Sequence, residues 1–235
     1  MRIFYAGRIP RWYGGFAAVF FLVLALLPGL ADLLAVNPAK PKPYYNGNLA
    51  KPQVALACNV FWGEEYLPSM LDALDRAGVK ITFFIGGSWA NRHPDLLKDI
   101  AARGHELGNH TWGHPHPNAI DKARNQEQII RTEKLVAELT GVTTRLYAPP
   151  YGEFNDTVLA AAAELGYTTI MWSIDTVDWK RPPAETILSR VLGKVNNGAI
   201  ILMHPTAPTA QALPELIFRI QGKGYTIHPV SEILP

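Results

Sequence analysis

The sequence predicts an α/β domain built on a parallel β-sheet, open or closed into a barrel. Short, continuously apolar runs alternate with helical stretches over about 180 residues, the pattern of strands covered on both faces. Glycine and proline, 19 of each, punctuate the boundaries between runs. The composition, 48% hydrophobic and 18% charged, is that of an ordinary globular protein.

The elements follow in order. Val54-Ala55-Leu56-Ala57-Cys58 is the first buried strand. Pro68 opens a helix that Ala77-Gly78 ends, proline being tolerated in the first turn and glycine favoured past the last. Ile81 to Ile85 is a second strand, closed by Gly86-Gly87, and Pro94 to Ala101 a second helix ended by Gly104. The run Gly104-His105-Glu106-Leu107-Gly108-Asn109 reads as a strand end leading into a loop. Gln126 to Leu139 is a long amphipathic helix closed by Gly141. Leu146-Tyr147 leads into Ala148-Pro149-Pro150-Tyr151-Gly152, and Asn155-Asp156 caps a helix running to Leu165-Gly166. Strands are expected at 168–173, 199–203 and 225–228, with helices at 183–195 and 212–220.

The net charge of +2 belongs to the N-terminus. Residues 1–50 hold five of the 22 basic and one of the 20 acidic residues, which leaves 17 against 19 for the remainder. A domain with no basic excess argues against nucleic-acid binding. The single cysteine, Cys58, excludes an internal disulfide and a thiolate zinc site. No G-x-G-x-x-G or P-loop is present, against nucleotide binding.

Arg2, Arg8 and Arg11 precede an uncharged run from Trp12 to Ala31. At about 1.5 Å per residue such a run crosses a roughly 30 Å hydrocarbon core. Residues 1–36 are therefore a cytoplasmic tip with a transmembrane anchor, or a signal peptide cleaved near Gly29-Leu30-Ala31. Either reading exports the domain, to the cell membrane's outer side or beyond it. Residues 37–51, rich in proline and turn formers, read as a semi-rigid linker before a domain at 52–235.

His110-Thr111-Trp112-Gly113-His114 sits after a strand, where α/β folds place their chemistry. Two imidazoles four residues apart can face the same way on a helical turn and share one metal ion. Polar residues at other strand ends are Asn59, Tyr151, Asp175, Asp178 and His204.

These motifs resemble the NodB-homology polysaccharide deacetylases, metal-dependent hydrolases that remove acetyl from N-acetylated sugars. The likeness is strongest to the membrane-anchored, sporulation-associated branch of Gram-positive bacteria. It covers the domain from about residue 52 onward. It implies a deformed (β/α) barrel and an N-acetylated, peptidoglycan-like polysaccharide as substrate. His110 and His114 match the family's H-[ST]-x-x-H metal motif, implying a divalent ion such as zinc. Leu202-Met203-His204 matches the motif whose histidine is the general acid. Asp175-Thr176-Val177-Asp178-Trp179 resembles one wall of the groove, with Asp175 or Asp178 expected to support His204. Pro150 and Tyr151 fall on the other wall, where the family's arginine is missing. Tyr151 and Trp179 offer apolar floor for sugar rings.

The first motif departs from the family's T-F-D-D-G. Asn59 takes the position of the base, or Trp62 that of the metal ligand, and no alignment supplies an aspartate. Amide hydrolysis needs an activated water, a Lewis acid and a proton for the leaving amine. Glu64 and Glu65 are the nearest acids in sequence, and Glu64 is the expected stand-in. The same pair would also suit a helix N-terminus, where the macrodipole favours acids. His105, His116 and His228 match no motif. A site lacking its acid would be a pseudoenzyme that binds glycan or scaffolds envelope partners.

Overall fold

The computed structural model describes residues 40–235. Residues 1–39, with the expected anchor or signal peptide, lie outside the described residues. No helix among the described residues is long and apolar enough to cross a membrane.

Eight strands form one parallel sheet: β1 Gln53–Val60, β2 Thr82–Ile85, β3 Glu106–Asn109, β4 Leu146–Tyr147, β5 Thr168–Thr169, β6 Ile174–Asp175, β7 Ile200–Met203 and β8 Thr226–Ile227. The order is β5-β4-β3-β2-β1-β7-β6, with β8 beside the start of β1. Strands β5 and β6 are the two edges of this order, so the expected barrel is a curled sheet left open between them. The helices are α1 Leu67–Arg76, α2 Gly87–Arg92, α3 Pro94–Ala102, α4 Lys122–Thr140, α5 Asp156–Glu164, α6 Ala184–Leu192, α7 Ala207–Gly222 and α8 Val230–Ile233.

The side-chain alternation of β1 sorts the two faces of the sheet. Val54, Leu56, Cys58 and Val60 pack into the large core under the helices, with Leu71 and Leu74 of α1 and Leu213 and Ile217 of α7. Ala55 and Ala57 face the inside of the curl, with Phe84 of β2 and Ile200 of β7. Alanines there leave room for Phe84 within a tightly curled sheet. Asn59 continues the inside row at the mouth of the curl, which is why a polar residue stands at the end of so apolar a strand. Cys58 is fully buried on the helix side. Burial, and beyond it the charge of Asp178, pushes its thiol pKa well above the ordinary value.

Three expected boundaries moved. The segment 168–173 pairs only over Thr168–Thr169, with one further bridge at Ile170. Helix α4 begins four residues early, because the Asp121 side chain accepts from Arg124 N and caps it. Helix α7 begins at Ala207, capped by Thr206, and carries Pro214 in its interior. That proline reads in sequence as a first-turn residue.

The linker expectation is corrected over residues 44–48. Tyr44 N donates to Thr169 O at 3.0 Å and Met171 N to Tyr44 O at 2.7 Å. Gly47 N donates to Gly198 O and Asn48 N to Ile233 O, both at 2.7 Å. These bonds carry the chain from the end of β5 to the start of β7. A Cβ on Gly47 would lie 2.4 Å from Ile233 O, so glycine is required there. Proline and turn formers suggest a spacer by composition, whereas backbone pairing needs no particular side chain. Removing residues 1–51 is expected to lower the melting temperature by about 5–10 °C relative to a chain starting at residue 41. The loss is several hydrogen bonds of about 1 kcal/mol each, at roughly 2–4 °C per kcal/mol for a domain of this size. Equal melting temperatures would show that the strap adds nothing.

Candidate active site

The strand C-terminal ends converge on a cavity of about 420 Å³. Strand β1 and the turn after it supply Asn59, Phe61 and Trp62; the loop after β3 supplies His110 and His114. Tyr151 and Gly152 follow β4, and Trp172 follows β5. Asp175 and Trp179 come from β6 and the turn after it, Leu202 and His204 from β7 and its end.

The segment His110–His114 is a loop after β3, as the run before it suggests, and not a helical turn. Thr111 and His114 adopt left-handed backbone, at φ 65° and 53°, a conformation that non-glycine residues keep only when neighbours hold it. Asn109 Oδ1 accepts from Thr111 N at 2.9 Å, and Thr111 Oγ1 from His114 N at 3.1 Å. Gln128 of α4 reaches in to accept from Gly113 N at 2.8 Å. Arg131 of the same helix lies 3.6 Å over the Trp112 ring. So fixed, the two imidazoles meet edge-on, their centroids 4.8 Å apart.

His110 Nδ1 bonds the Ala148 carbonyl at 2.7 Å, an arrangement in which Nδ1 carries the proton and Nε2 keeps its lone pair. Burial, then the neighbouring His114, brings the His110 pKa down to about 3. Burial also brings His114 down to about 4. Both rings are neutral at pH 7, the state a metal requires.

His105, at the start of β3, is buried with Nε2 unpartnered, and burial takes its pKa to about 4. These three histidines charge more readily in the unfolded chain than in the folded one. Their stabilisation is complete above pH 6.5 and is lost as pH falls from there toward 4. Unfolding free energy at pH 5 is expected to fall below its pH 7 value by about 2 kcal/mol for each of His105 and His110, and by less for His114, whose partly exposed ring is screened by solvent. Urea titrations at the two pH values measure it, and His105→Gln should remove its share. An unchanged midpoint would refute the assignment.

Opposite the pair stands His204. Its Nδ1 lies 2.8 Å from Asp178 Oδ1, and its backbone N donates to Asp178 Oδ2 at 2.6 Å. Thr209 Oγ1 donates to the same Oδ2 at 2.6 Å. Asp178 is completely buried, and these donors satisfy its carboxylate. With Nδ1 engaged, His204 Nε2 is the nitrogen left for a ligand. Trp62 stacks on the His204 ring, centroids 5.7 Å apart and planes 8° from parallel. Gly63 makes that stack possible. Its φ is +83°, and a Cβ would lie 2.0 Å from Pro205 O, next to His204.

Asp178, rather than Asp175, therefore supports His204. Asp175 lines the cavity and accepts from Val177 N at 2.7 Å, fixing the turn that carries Asp178. Glu64 does not enter the cavity. The left-handed turn at Gly63 leads into a short 3-10 helix at Glu64–Tyr66, and Glu64 faces His93 at 3.7 Å. Pro150 is buried outside the lining, and the turn it starts sets Tyr151 at φ 60° with its ring 56% exposed. Tyr151 meets His114 edge-on at 4.6 Å and stacks on His116 at 4.1 Å. Sequence reasoning missed Phe61, Trp172 and Leu202 as lining. Their signal was position just past or at a strand end, obscured by their apolar character.

A resident divalent ion is tested by this donor set. His110 and His114 supply two neutral imidazoles. Among the described residues no cluster of three His, Cys, Asp or Glu side chains is arranged to hold a metal. Asn59 lines the same cavity, with a buried, unpartnered Oδ1. A neutral amide oxygen lacks the charge of the usual carboxylate, so the set falls short of a three-ligand site.

The profile described as polysaccharide deacetylase matches residues 46–170. YlxY of Bacillus subtilis is 44% identical over 83% of this chain and 61% of its own length. A peptidoglycan-N-acetylglucosamine deacetylase of Bacillus cereus is 37% identical over 77% of this chain and 67% of its own. The structure of a CE4 family pseudoenzyme from Bacillus anthracis superposes at TM-score 0.81 and 38% identity, covering 83% of this chain and 69% of that one. A mutant of that pseudoenzyme, described as having restored enzymatic activity, gives the same TM-score. The chain thus spans about two thirds of these relatives' lengths. Curled parallel sheet, histidine pair and His204–Asp178 dyad agree with the profile match: the chain belongs to the polysaccharide deacetylase family.

Proposed function

We propose that this chain acts on N-acetylated cell-wall polysaccharide, removing acetyl by hydrolysis of the acetamide. The carrying observation is the His204–Asp178 dyad, which faces the histidine pair across an aromatic cavity. Trp179, 51% exposed, and Tyr151 offer faces to sugar rings at the cavity rim. Asp178 holds His204 by Nδ1, and its carboxylate balances the charge of the protonated ring. The Nε2 proton is then available to a departing amine. His110 and His114 are the residues that would hold a divalent metal, zinc being the expected one, to supply Lewis-acid polarisation and water activation. Among the described residues no third His, Cys, Asp or Glu side chain completes the set.

That missing acid favours a second reading: the groove holds glycan without turnover, as a pseudoenzyme. The Bacillus cereus relative supports the first reading and the Bacillus anthracis neighbour the second. The arginine-flanked apolar run of residues 1–31 supports export to the outer side of the cell membrane, anchored there or released. The deciding experiment measures acetate released from peptidoglycan and from N-acetylglucosamine oligomers by the purified full chain, with and without added zinc. Acetate release abolished by His204→Ala supports hydrolysis. Binding without acetate supports the pseudoenzyme, and neither overturns both readings.

A further inference from the structure

We propose that Lys180 and Arg181 bind a carboxylate on the sugar next to the one in the cavity, so that the groove prefers an anionic glycan strand to a neutral one. This rests on the glycan reading above and holds with or without turnover. Both residues are exposed, at the end of the turn that carries Trp179. Lys180 Nζ lies 5.0 Å from the Trp179 ring centroid, which places a cation beside the exposed indole of the groove. Among the described residues neither Lys180 nor Arg181 has a carboxylate partner, whereas Lys80, Arg103, Lys122 and Arg124 are all paired.

The turn is fixed in place. Val177 and Arg181 both adopt left-handed backbone at φ 53°, and for a β-branched residue such as Val177 this is an outlier. Such strain persists only where the surroundings hold it, and it concentrates at ligand sites. Here Asp175 Oδ1 accepts from Val177 N at 2.7 Å, Thr176 Oγ1 donates to Leu202 O at 2.8 Å, and Arg190 donates to Thr176 O. His204 N and Thr209 Oγ1 tie Asp178 inward. With Asp178 buried, the turn leaves an indole and two cations at the surface.

The charge of the groove narrows the ligand. On the Tyr151 side the nearby carboxylate, Glu153, is engaged: its Oε1 lies 3.0 Å from His116 Nδ1. Among the described residues Asp175 is the one carboxylate lining the cavity, and its Oδ1 is taken by Val177 N. The Trp179 rim is cationic. A strand made of N-acetylated hexosamine alone carries no charge and offers this rim nothing. A strand whose alternate sugars bear an ether-linked acid offers a carboxylate within one ring of a sugar stacked on Trp179. The planar fork of Arg181 meets a carboxylate at two points, and Lys180 adds a point charge. A peptide joined to the sugar is a second source of carboxylate. The closeness of Lys180 to the indole favours the acid on the sugar itself.

The test is calorimetric binding at pH 7 to the full chain in detergent. The neutral ligand is tetra-N-acetylchitotetraose. The acid ligand is the peptide-free tetramer in which N-acetylglucosamine alternates with N-acetylmuramic acid, and its control is the same tetramer with the carboxyls converted to methylamides. An exposed ion pair strengthens binding by up to about fivefold, so two cations should favour the acid form about tenfold over either neutral form at roughly 0.01 M salt. At about 1 M salt, where charges are screened beyond about 3 Å, the advantage should shrink to within about threefold, a readout that needs no variant. The double variant Lys180→Gln, Arg181→Gln should close the gap to within about threefold at low salt. A tetramer whose acids are amide-linked to a peptide bearing its own carboxylates separates the two sources, and it should bind no more tightly than the methylamide. Binding of that peptide form as tightly as the acid form would overturn the assignment to the sugar's own carboxylate. Equal binding of acid and methylamide forms, or an advantage that survives high salt or the double variant, would overturn the role of Lys180 and Arg181 and leave the glycan reading standing. No binding of any tetramer would overturn the glycan reading and this inference with it.

Discussion

Asn59→Asp should bind zinc at least about tenfold more tightly than the native chain and raise acetate release by about a hundredfold. Aspartate and asparagine share a shape, so the substitution changes charge at one buried point without repacking the curl. It places the one anionic oxygen that the two neutral imidazoles lack. It also adds a proton acceptor, which an amide cannot be. The cost falls on the metal-free protein. A buried carboxylate with no partner destabilises by several kcal/mol, so the apo variant should melt lower and recover with zinc. Zinc titration by competition with a chelating dye, and thermal melts with and without the ion, measure both effects. If neither metal affinity nor acetate release rises, Asn59 is not what separates this site from a working one.

Asp178→Asn acts on the other half. His204 meets Asp178 through Nδ1, which fixes the tautomer and aims Nε2 at the cavity. An asparagine can present its NH₂ to that nitrogen and reverse the tautomer, and it cannot balance a protonated ring. Whatever acetate release the native chain or Asn59→Asp shows should fall by about 10²–10⁴-fold. Glycan affinity should change little, because Asp178 is completely buried and outside the cavity lining. Parallel loss of binding and turnover would mean that Asp178 supports the groove as a whole.

Much of this was legible in the sequence because the signals are local. The apolar runs of β1, β2 and β7, the glycines that end them and the histidine spacing each depend on neighbours along the chain. What escaped depends on direction in space. Asp175 and Asp178 both follow a strand and look equivalent as letters. The turn that Asp175 ties through Val177 carries Asp178, and not Asp175, to His204. Glu64 is two residues past Trp62, which lines the groove, and the left-handed turn at Gly63 sends it to His93. Trp172 sat inside an expected strand and is a groove residue because pairing stops at Ile170. The strap at 44–48 was hidden for a different reason: its bonds are backbone to backbone, and composition alone spoke for a spacer.

Cys58 gives the molecule a built-in clock. It is the only thiol in the chain, sealed on the helix side of the central strand and held protonated by burial. A thiolate reagent therefore cannot label the folded protein at the pace of an exposed cysteine. Labelling waits until β1 separates from the helices that cover it, an opening that breaks the sheet at its middle rather than at an edge. Under excess reagent the modification rate reports how often the whole domain comes apart, with no engineered probe and no optical signal. Ligands that close the groove can be ranked by how far they slow it.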